Sequence, residues 1–370
     1  MNRSKTTLAL LVTACVVALV AVSGSWGQAT TKTASPYKVA LILVGPHNDG
    51  GWSQAHYDGL QYVQKALGSK VQFTYKENIA VGAQFSQTVS SLVSQGYNMI
   101  FATSYGMATK ANTAKYPNVI FLQATGTDMT KNLGEYFGAG EDTIFLSGMA
   151  AGAASRTGKL GYVVAFPIPE VIRHANAFAL GAQLTHPGAT VRLVWTNSWV
   201  DPAKEKKAAQ SLHAAGADVL GQNVDTPATG QFAESVGIPW VGYDSNSSKF
   251  APKSWLTAAV YNWGPYMLKQ VKAGMAGTWK PSFYYGHIND GFTSLAPYGP
   301  KVSAATKAKI ASYRQKIVKG TFYEFTGPLY DQSGKLRVKP GVKMQVLKGG
   351  TNSLYGMNWL VKGVIGSAKG

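Results

Sequence analysis

The sequence predicts an α/β protein made of two similar lobes, each built on a parallel sheet. From Tyr37 onward, short β-rich apolar runs alternate with segments whose apolar residues recur at helical spacing. The helical segments of the first series end in glycine, which is a helix-stop signal. Such alternation makes a parallel sheet covered on both faces. The alternation runs through one series and starts again at "KLGYVVAF", which predicts two lobes.

The first series supplies the elements of the first lobe. Its strand-like runs are "VALILV", "VQFTYKENI", "NMIFATS" and "NVIFLQAT". Helical patterns fill the segments "SQAHYDGLQYVQKALG" and "GAQFSQTVSSLVSQG" between them.

The second series repeats this order. It has the strand-like runs "KLGYVVAF", "ATVRLVWTN", "ADVLGQNV" and "PWVGYD", and the helix-like runs "PEVIRHANAFALGAQL", "DPAKEKKAAQSLHAAG" and "TGQFAESVG". A further strand, "WLTAAVYN", and a further helix, "WGPYMLKQVKAGM", follow. The tail from about Gly327 is rich in turn residues and has a hairpin-like pattern.

The amino terminus has the three parts of a secretory signal peptide. A basic "MNRSK" precedes the apolar "TTLALLVTACVVALVAV", and "SGSWGQA" supplies small residues for cleavage. We expect a signal peptide over residues 1–29, although Ser23 or Ser25 would also serve as the cleavage site. The mature protein is then expected in the periplasm. An alternative is a lipid anchor on Cys15, because "VTAC" matches a lipobox, but the apolar run continues past that cysteine.

Cysteine use and charge exclude several function classes. Cys15 is the single cysteine, so cleavage of the signal would exclude disulfides, thiol catalysis and cysteine-bound zinc. The net charge is +18, but no run of five or six basic residues occurs. We therefore expect a basic surface and no nucleic-acid partner.

The loops that follow the predicted strands are the candidate site, because ligands of open α/β sheets bind at the carboxyl ends of the strands. These loops are "GPHNDGGW", "SYGM", "TGTD", "FPIPEV", "NSWVDP", "VDTPAT" and "DSNSS". With two lobes, they would face each other across a cleft.

Chemical motifs are scarce in these loops. No "GxxxxGK[ST]", "GxGxxG", "HExxH" or "GxSxG" occurs. A metal site from His47, Asp49 and His56 is weakly supported. An acid/base carboxylate pair stays open, although the sequence singles out none of its 17 acidic residues. We predict no catalytic residue, metal or cofactor.

Recognition of a flat ring is the remaining interpretation. Aromatic residues stand at or just beyond the strand ends, at Trp52, Tyr105, Phe166, Trp199, Tyr243 and Trp263. Each could instead pack the core, but as a set they suggest stacking platforms, each worth roughly 1–3 kcal/mol. Asp49 and Asp244 would accept hydrogen bonds from ring or hydroxyl donors.

Several ordered motifs resemble the basic membrane protein family, the purine- and nucleoside-binding components of ABC transporters. They are "VALILVGPHNDGGWSQAHYDGL", "YPNVIFLQATG", "GEYFGAGEDTIFLSGMAAGAAS", "GYVVAFPIPEVIRHANAFALGA", "WVDPAKEKKAAQSLHAAGADVL" and "VGYDSNSS", within residues 37–320. The resemblance implies a type I periplasmic binding protein, with two Rossmann-like lobes, a three-stranded hinge and the ligand between the lobes. It also implies a membrane permease as partner.

The resemblance assigns roles to particular residues. Asp49 and Trp52 match the family's aspartate and stacking aromatic, Ser53 replaces a base-contacting asparagine, and Asp244 matches the aspartate that binds ribose hydroxyls. Thr125 replaces a family aspartate, and a ribose-contacting lysine is missing near Asn262. These departures favour a purine base such as adenine over a nucleoside. The expected ligand-binding residues are Asn48, Asp49, Trp52, Ser53, Tyr105, Thr125, Phe166, Trp199, Asp244, Asn262 and Trp263.

The same resemblance sets the expected domain organisation. After the signal peptide we expect a first lobe, a second lobe and a hairpin-like tail, over residues 36–140 plus 258–290, 141–257 plus 291–326, and 327–370. The expected protein is a monomer and not an enzyme. A nucleoside-binding protein is the alternative within the family, and an exported nucleoside-processing enzyme is the alternative of another class. A sugar-responsive repressor would need an N-terminal helix-turn-helix where this chain has the signal-like segment.

Overall fold

A computed structural model of the protein describes residues 35–370. The predicted signal peptide and Cys15 lie outside the described residues. Within residues 35–370, no helix is both long enough and apolar enough to span a membrane.

The described chain alternates strands and helices in the predicted order. The strands are β1 (Tyr37–Ile42), β2 (Val71–Lys76), β3 (Met99–Ala102), β4 (Ile120–Ala124), β5 (Leu133–Gly138), β6 (Lys159–Val164), β7 (Thr190–Trp195), β8 (Val219–Asn223), β9 (Trp240–Asp244), β10 (Trp255–Tyr261), β11 (Phe283–Gly286), β12 (Thr293–Leu295), β13 (Leu329–Tyr330), β14 (Leu336–Val338) and β15 (Val364–Ile365). The helices are α1 (Trp52–Leu67), α2 (Ala83–Ser94), α3 (Lys110–Thr113), α4 (Gly140–Ala154), α5 (Pro169–Thr185), α6 (Pro202–Ala214), α7 (Ala228–Val236), α8 (Trp263–Met275) and α9 (Ala304–Val318).

The first lobe is built on a six-stranded sheet in the order β11-β5-β4-β3-β1-β2. Every neighbouring pair in this sheet is parallel. Strands β3 and β5 are buried along their whole length. Continuous burial is expected of parallel strands with helices on both faces, and it explains their unbroken apolar runs.

The second lobe is built on a seven-stranded sheet in the order β12-β10-β9-β8-β6-β7-β15. Its pairs are parallel except for β12, which runs antiparallel to β10. The two parallel sheets confirm the predicted α/β fold with two lobes. Strand β10 belongs to this second sheet, so the expected lobe boundary at residue 258 falls inside a strand.

The chain passes between the two sheets three times. The first passage joins β5 to α4, the second follows β10 at Asn262, and the third joins β11 to β12. Helix α8 returns to pack on α1 of the first lobe, whereas α4 packs on α5 and β10 of the second. The three passages are adjacent, since β5 pairs with β11 and β10 pairs with β12, and they are called the hinge passages below.

The carboxyl-terminal tail packs on the second lobe. Strands β13 and β14 form a small antiparallel sheet, and β15 extends the second sheet at the edge of β7. The buried side chain of Asn176 holds the tail in place. Its amide donates to the carbonyl of Trp359 at 2.9 Å and accepts from the backbone N–H of Val361 at 2.9 Å.

Candidate ligand-binding site

A cavity of about 320 Å³ lies between the lobes at the carboxyl ends of the strands. This is the edge at which open α/β sheets bind ligands. The first lobe lines it from the loops after β1, β2, β3 and β4, and the second lobe from the segments after β6, β7 and β8 and the end of β9. The lining residues are Val44, Trp52, Val81, Thr103, Ser104, Tyr105, Thr125, Phe166, Ile168, Glu170, Trp199, Asp225, Tyr243 and Asp244.

The two lobes touch beside this cavity. The carbonyl of Gly50 in the first lobe accepts hydrogen bonds from the hydroxyls of Ser245 and Ser247 in the second. The neighbouring Gly51 lies so close to Asp225 that a Cβ atom at position 51 would overlap the Asp225 carbonyl. The structure therefore shows a closed arrangement of the lobes, with glycine required at the point of closest approach.

The structure brings six of the predicted site residues together in the cavity. They are Trp52, Tyr105, Thr125, Phe166, Trp199 and Asp244. Trp52 is held by its indole N–H, which donates to the carbonyl of Thr103 at 2.6 Å. Its ring meets Tyr261 and Trp263 edge to face, at centroid distances of 6.0 and 5.2 Å. These contacts fix the orientation of the Trp52 ring at the cavity wall.

Three predicted residues of the first loop lie outside the cavity lining. Asn48 is exposed. The Asp49 carboxylate accepts from the backbone N–H groups of Gly51, Ser53 and Gln54 at 2.8–3.0 Å and so fixes the first turn of α1. The Ser53 hydroxyl accepts from the N–H of Gly45 at 3.1 Å. Asp49 and Ser53 therefore shape the loop that presents Trp52.

The remaining two predicted residues lie at the second hinge passage. Asn262 is exposed, and its amide donates to the carbonyl of Gly291 at 3.5 Å. Trp263 is 1% exposed and is stacked between His56 and Tyr261, at centroid distances of 4.1 and 4.9 Å. Trp263 thus packs behind Trp52 and supports it.

Thr125 and Asp244 occupy matching positions in the two lobes, each at the end of the fourth strand of its series. Both have a left-handed backbone, with φ of 65° and 64°. Aspartate and asparagine tolerate this conformation better than most residues, whereas it is strained for a β-branched threonine. The Thr125 hydroxyl and both Asp244 carboxylate oxygens are buried without a hydrogen-bond partner within residues 35–370. The left-handed backbone and the unpaired polar atoms make these two positions candidate ligand contacts.

Two cavity carboxyl groups were not among the predicted site residues. Glu170 lies in the first turn of α5, and Asp225 follows β8. Their loops, "FPIPEV" and "VDTPAT", follow predicted strands, so position in the chain was the signal that could have found them. A glutamate in the first turn of a helix also has a structural explanation, because its negative charge interacts favourably with the helix dipole. The sequence therefore does not single out Glu170 as a site residue.

Burial raises the pKa of all three cavity carboxyl groups. For Glu170 the pKa rises from 4.5 to about 7, with Glu141 adding to the rise and Arg173 opposing it. The pKa values of Asp225 and Asp244 are raised by burial and by repulsion among the acidic groups around them. Among residues 35–370, no lysine, arginine or histidine lines the cavity. The cavity therefore disfavours anions and favours hydrogen-bond donors.

The residues considered for a metal site are engaged elsewhere. His47 pairs with Glu77 at 2.7 Å, and Asp49 fixes the turn of α1. His56 is buried, which lowers its pKa to about 3, and its Nδ1 lies 3.0 Å from the carbonyl of Trp52. Residues 35–370 contain no group of three or more potential metal ligands.

Two α/β lobes joined by three passages, with a ligand-sized cavity between them, define a type I periplasmic binding protein. A solved ABC transporter solute-binding protein from Conexibacter woesei has the same fold, with a TM-score of 0.64 over 78% of this chain and 98% of that chain, at 20% sequence identity. Residues 37–322 match the sequence model of a family described as "ABC transporter substrate-binding protein PnrA-like". The chain belongs to this family, which is the one that the sequence motifs resemble.

Two relatives are similar over most of the chain. A purine-binding protein of Brucella abortus is 36% identical over 335 residues, covering 88% of this chain and 92% of that protein. A protein of Haloferax volcanii, provisionally named an ABC transporter glucose-binding protein, is 31% identical over 295 residues, covering 79% of this chain and 75% of that protein. The description of the family gives its members a substrate-binding role in ABC transport. Their partners are a small-molecule ligand and the permease of an ABC transporter.

Proposed function

We propose that the protein captures a purine base such as adenine outside the cytoplasm and delivers it to an ABC importer. One observation carries the proposal. The Asp244 carboxyl group is 1% exposed, lines the cavity between the lobes and has no hydrogen-bond partner on either oxygen within the described chain. An unpaired buried carboxyl group is costly, so its counterpart is expected to be a ligand N–H or O–H group.

The aromatic walls of the cavity support a flat ligand. Trp52 comes from the first lobe, and Phe166 and Trp199 come from the second, with 5.6 Å between the centroids of the latter two rings. A heteroaromatic ring held between lobes would bury both faces against aromatic side chains. Each such stack contributes roughly 1–3 kcal/mol.

Size and charge favour a base over larger or anionic purines. The volume of about 320 Å³ is at the small end for a ligand site. A nucleotide would bring its phosphate against three carboxyl groups without a cation beside them. A nucleoside is the second candidate, because its ribose hydroxyls could donate to Asp244. The similarity to a purine-binding relative at 36% identity supports both candidates.

We also propose how the protein is exported and that it does not assemble into oligomers. The signal-like segment over residues 1–29 would direct the chain to the periplasm, and the mature protein is proposed to act as a monomer. The three hinge passages would allow the lobes to open and close around the ligand.

A thermal-shift panel tests the ligand class. Protein stripped of bound molecules by unfolding and refolding is mixed with adenine, guanine, hypoxanthine, adenosine, guanosine, AMP or D-glucose. We expect the purine bases to shift the midpoint at least as far as the nucleosides, and AMP to shift it least among the purines. A largest shift with adenosine would favour the nucleoside candidate. A largest shift with AMP or glucose would contradict the proposal.

A further inference from the structure

The polar groups of the cavity are distributed unequally between the lobes. The second lobe contributes three carboxyl groups, those of Glu170, Asp225 and Asp244. The first lobe contributes hydroxyl groups, including the unpaired one of Thr125. A neutral ring that enters this cavity therefore meets acceptors on one side, unless one of the carboxyl groups carries a proton.

Glu170 is the carboxyl group best placed to exchange that proton with solvent, because it is partly exposed, whereas Asp225 and Asp244 are only 2% and 1% exposed. No protein group within residues 35–370 donates a hydrogen bond to its carboxyl group, so burial and the charges of Arg173 and Glu141 determine its ionisation. Its nearest cation, Arg173, lies 3.4 Å from Glu141 and between the rings of Phe137 and Tyr355, at 5.3 and 5.1 Å. Arg173 is thus committed to another carboxylate and does not line the cavity.

The titratable groups that act on Glu170 come from every element around it, and most oppose its charge. Burial raises the pKa of Glu170 to about 7, Glu141 on α4 raises it further, and Arg173 on α5 lowers it. Charge interactions also link Glu170 to groups in the segment after β8, at the ends of β9 and β10, and in the tail, namely Asp225, Tyr243, Asp244, Tyr261 and Tyr355.

Resting on the proposed purine ligand, we propose that Glu170 is a specificity-determining residue that binds the ligand as a protonated carboxyl group, so that binding is linked to proton uptake. A protonated carboxyl group presents an O–H donor beside a carbonyl acceptor. That pair matches a ring nitrogen next to an exocyclic amino group, as on adenine. An ionised carboxylate presents two acceptors and would leave the ring nitrogen facing a negative charge.

The proton linkage has a definite sign. Below about pH 7, Glu170 already holds the proton in the free protein, so adenine affinity is independent of pH. Above about pH 7, the complex must take the proton from solution, and affinity falls by up to tenfold for each pH unit.

Isothermal titration calorimetry of the mature, ligand-stripped protein with adenine tests the inference. Titrations from about pH 6 to about pH 8.5, in phosphate and in Tris, give both the affinity and the number of protons taken up, because the two buffers differ in ionisation enthalpy. We expect constant affinity at the acid end, a fall at the alkaline end, and uptake approaching one proton for each adenine bound.

Two isosteric variants locate the proton. Glu170→Gln keeps a donor beside an acceptor but cannot titrate, so its affinity profile is expected to be flat with no proton uptake. Asp225→Asn serves as the matched variant and is expected to keep the alkaline fall. The inference is overturned if the unmodified protein takes up no proton, if Glu170→Gln keeps the slope, or if only Asp225→Asn removes it. Failure of every purine to bind at any pH would instead overturn the proposed function itself.

Discussion

Gly51 of the first lobe lies against the backbone carbonyl of Asp225 in the second, with no room for a Cβ atom between them. Both residues of this contact between the lobes are also next to the cavity or part of its lining. Gly51 immediately precedes Trp52, a proposed stacking residue, and Asp225 supplies one of the cavity carboxyl groups. The "DGGW" stretch therefore places an aromatic wall and the closest contact between the lobes in adjacent residues.

Substitution of Gly51 should impair closure. Gly51→Ala would place a methyl group against the Asp225 carbonyl, so we expect weaker adenine binding and a larger radius of gyration in the presence of ligand. Small-angle scattering with and without adenine measures this. Gly188→Ala is the control, because position 188 has open space around it and only the backbone preference changes. Equal compaction in the two variants would contradict the closure account.

Removal of the Trp52 ring should weaken binding through lost stacking. Trp52→Ala is expected to reduce affinity for adenine by about 1–3 kcal/mol, which is roughly five- to a hundred-fold. Trp279→Ala is the matched control, since Trp279 also donates its indole N–H, to Gln270 at 2.9 Å, but does not line the cavity. If calorimetry shows the same affinity for both variants, Trp52 is a core residue only.

Relief of backbone strain at Thr125 should raise the free energy of unfolding and lower the ligand affinity. Thr125→Gly removes a β-branched residue from the left-handed region, so we expect the free energy of unfolding to rise by up to about 1 kcal/mol. Ligand affinity should fall, because the unpaired hydroxyl is lost. Urea unfolding and calorimetry measure the two effects. Asn197→Gly is the control, because Asn197 also has positive φ but asparagine tolerates it.

The buried Glu135 should make stability depend on pH. Burial raises its pKa from 4.5 to about 9, and the backbone groups of Asp128 and Gly126 only partly oppose this rise. Between these values the folded state keeps a proton that the unfolded state releases, so this contribution to stability falls as pH rises. Glu135→Gln is therefore expected to raise the Tm more at pH 8 than at pH 5. An equal change at both pH values would show that Glu135 does not titrate as described.

The fold could be predicted from the sequence because its signals are local. Buried parallel strands have continuous apolar runs, and helices have apolar residues at helical spacing. These patterns identify the strand–helix series of both lobes. The sequence does not show to which lobe β10 belongs. Its sequence, "WLTAAVYN", has the same composition as a strand of either sheet, and only its pairing with β9 and β12 assigns it.

The site was predictable in part for the same reason. Residues at strand ends share one edge of the sheet, which is why Trp52, Trp199 and Asp244 were expected there and do line one cavity. Asp49 follows a strand as well, but it turns to the N–H groups of its own helix. Whether a carboxyl group faces the cavity depends on which hydrogen-bond donors the fold places near it, and the sequence does not show those donors. For this reason the sequence did not identify Glu170 as a cavity residue.

Calorimetry of ligand-stripped protein with adenine near pH 6.5 tests the central claim most directly. At that pH, Glu170 would still hold most of its proton in the free protein, given its pKa of about 7. We predict one adenine bound for each chain with a Kd of about micromolar or tighter, which is within the range for a ligand of this size. An absence of binding by adenine, with saturation by glucose or by AMP, would contradict the account.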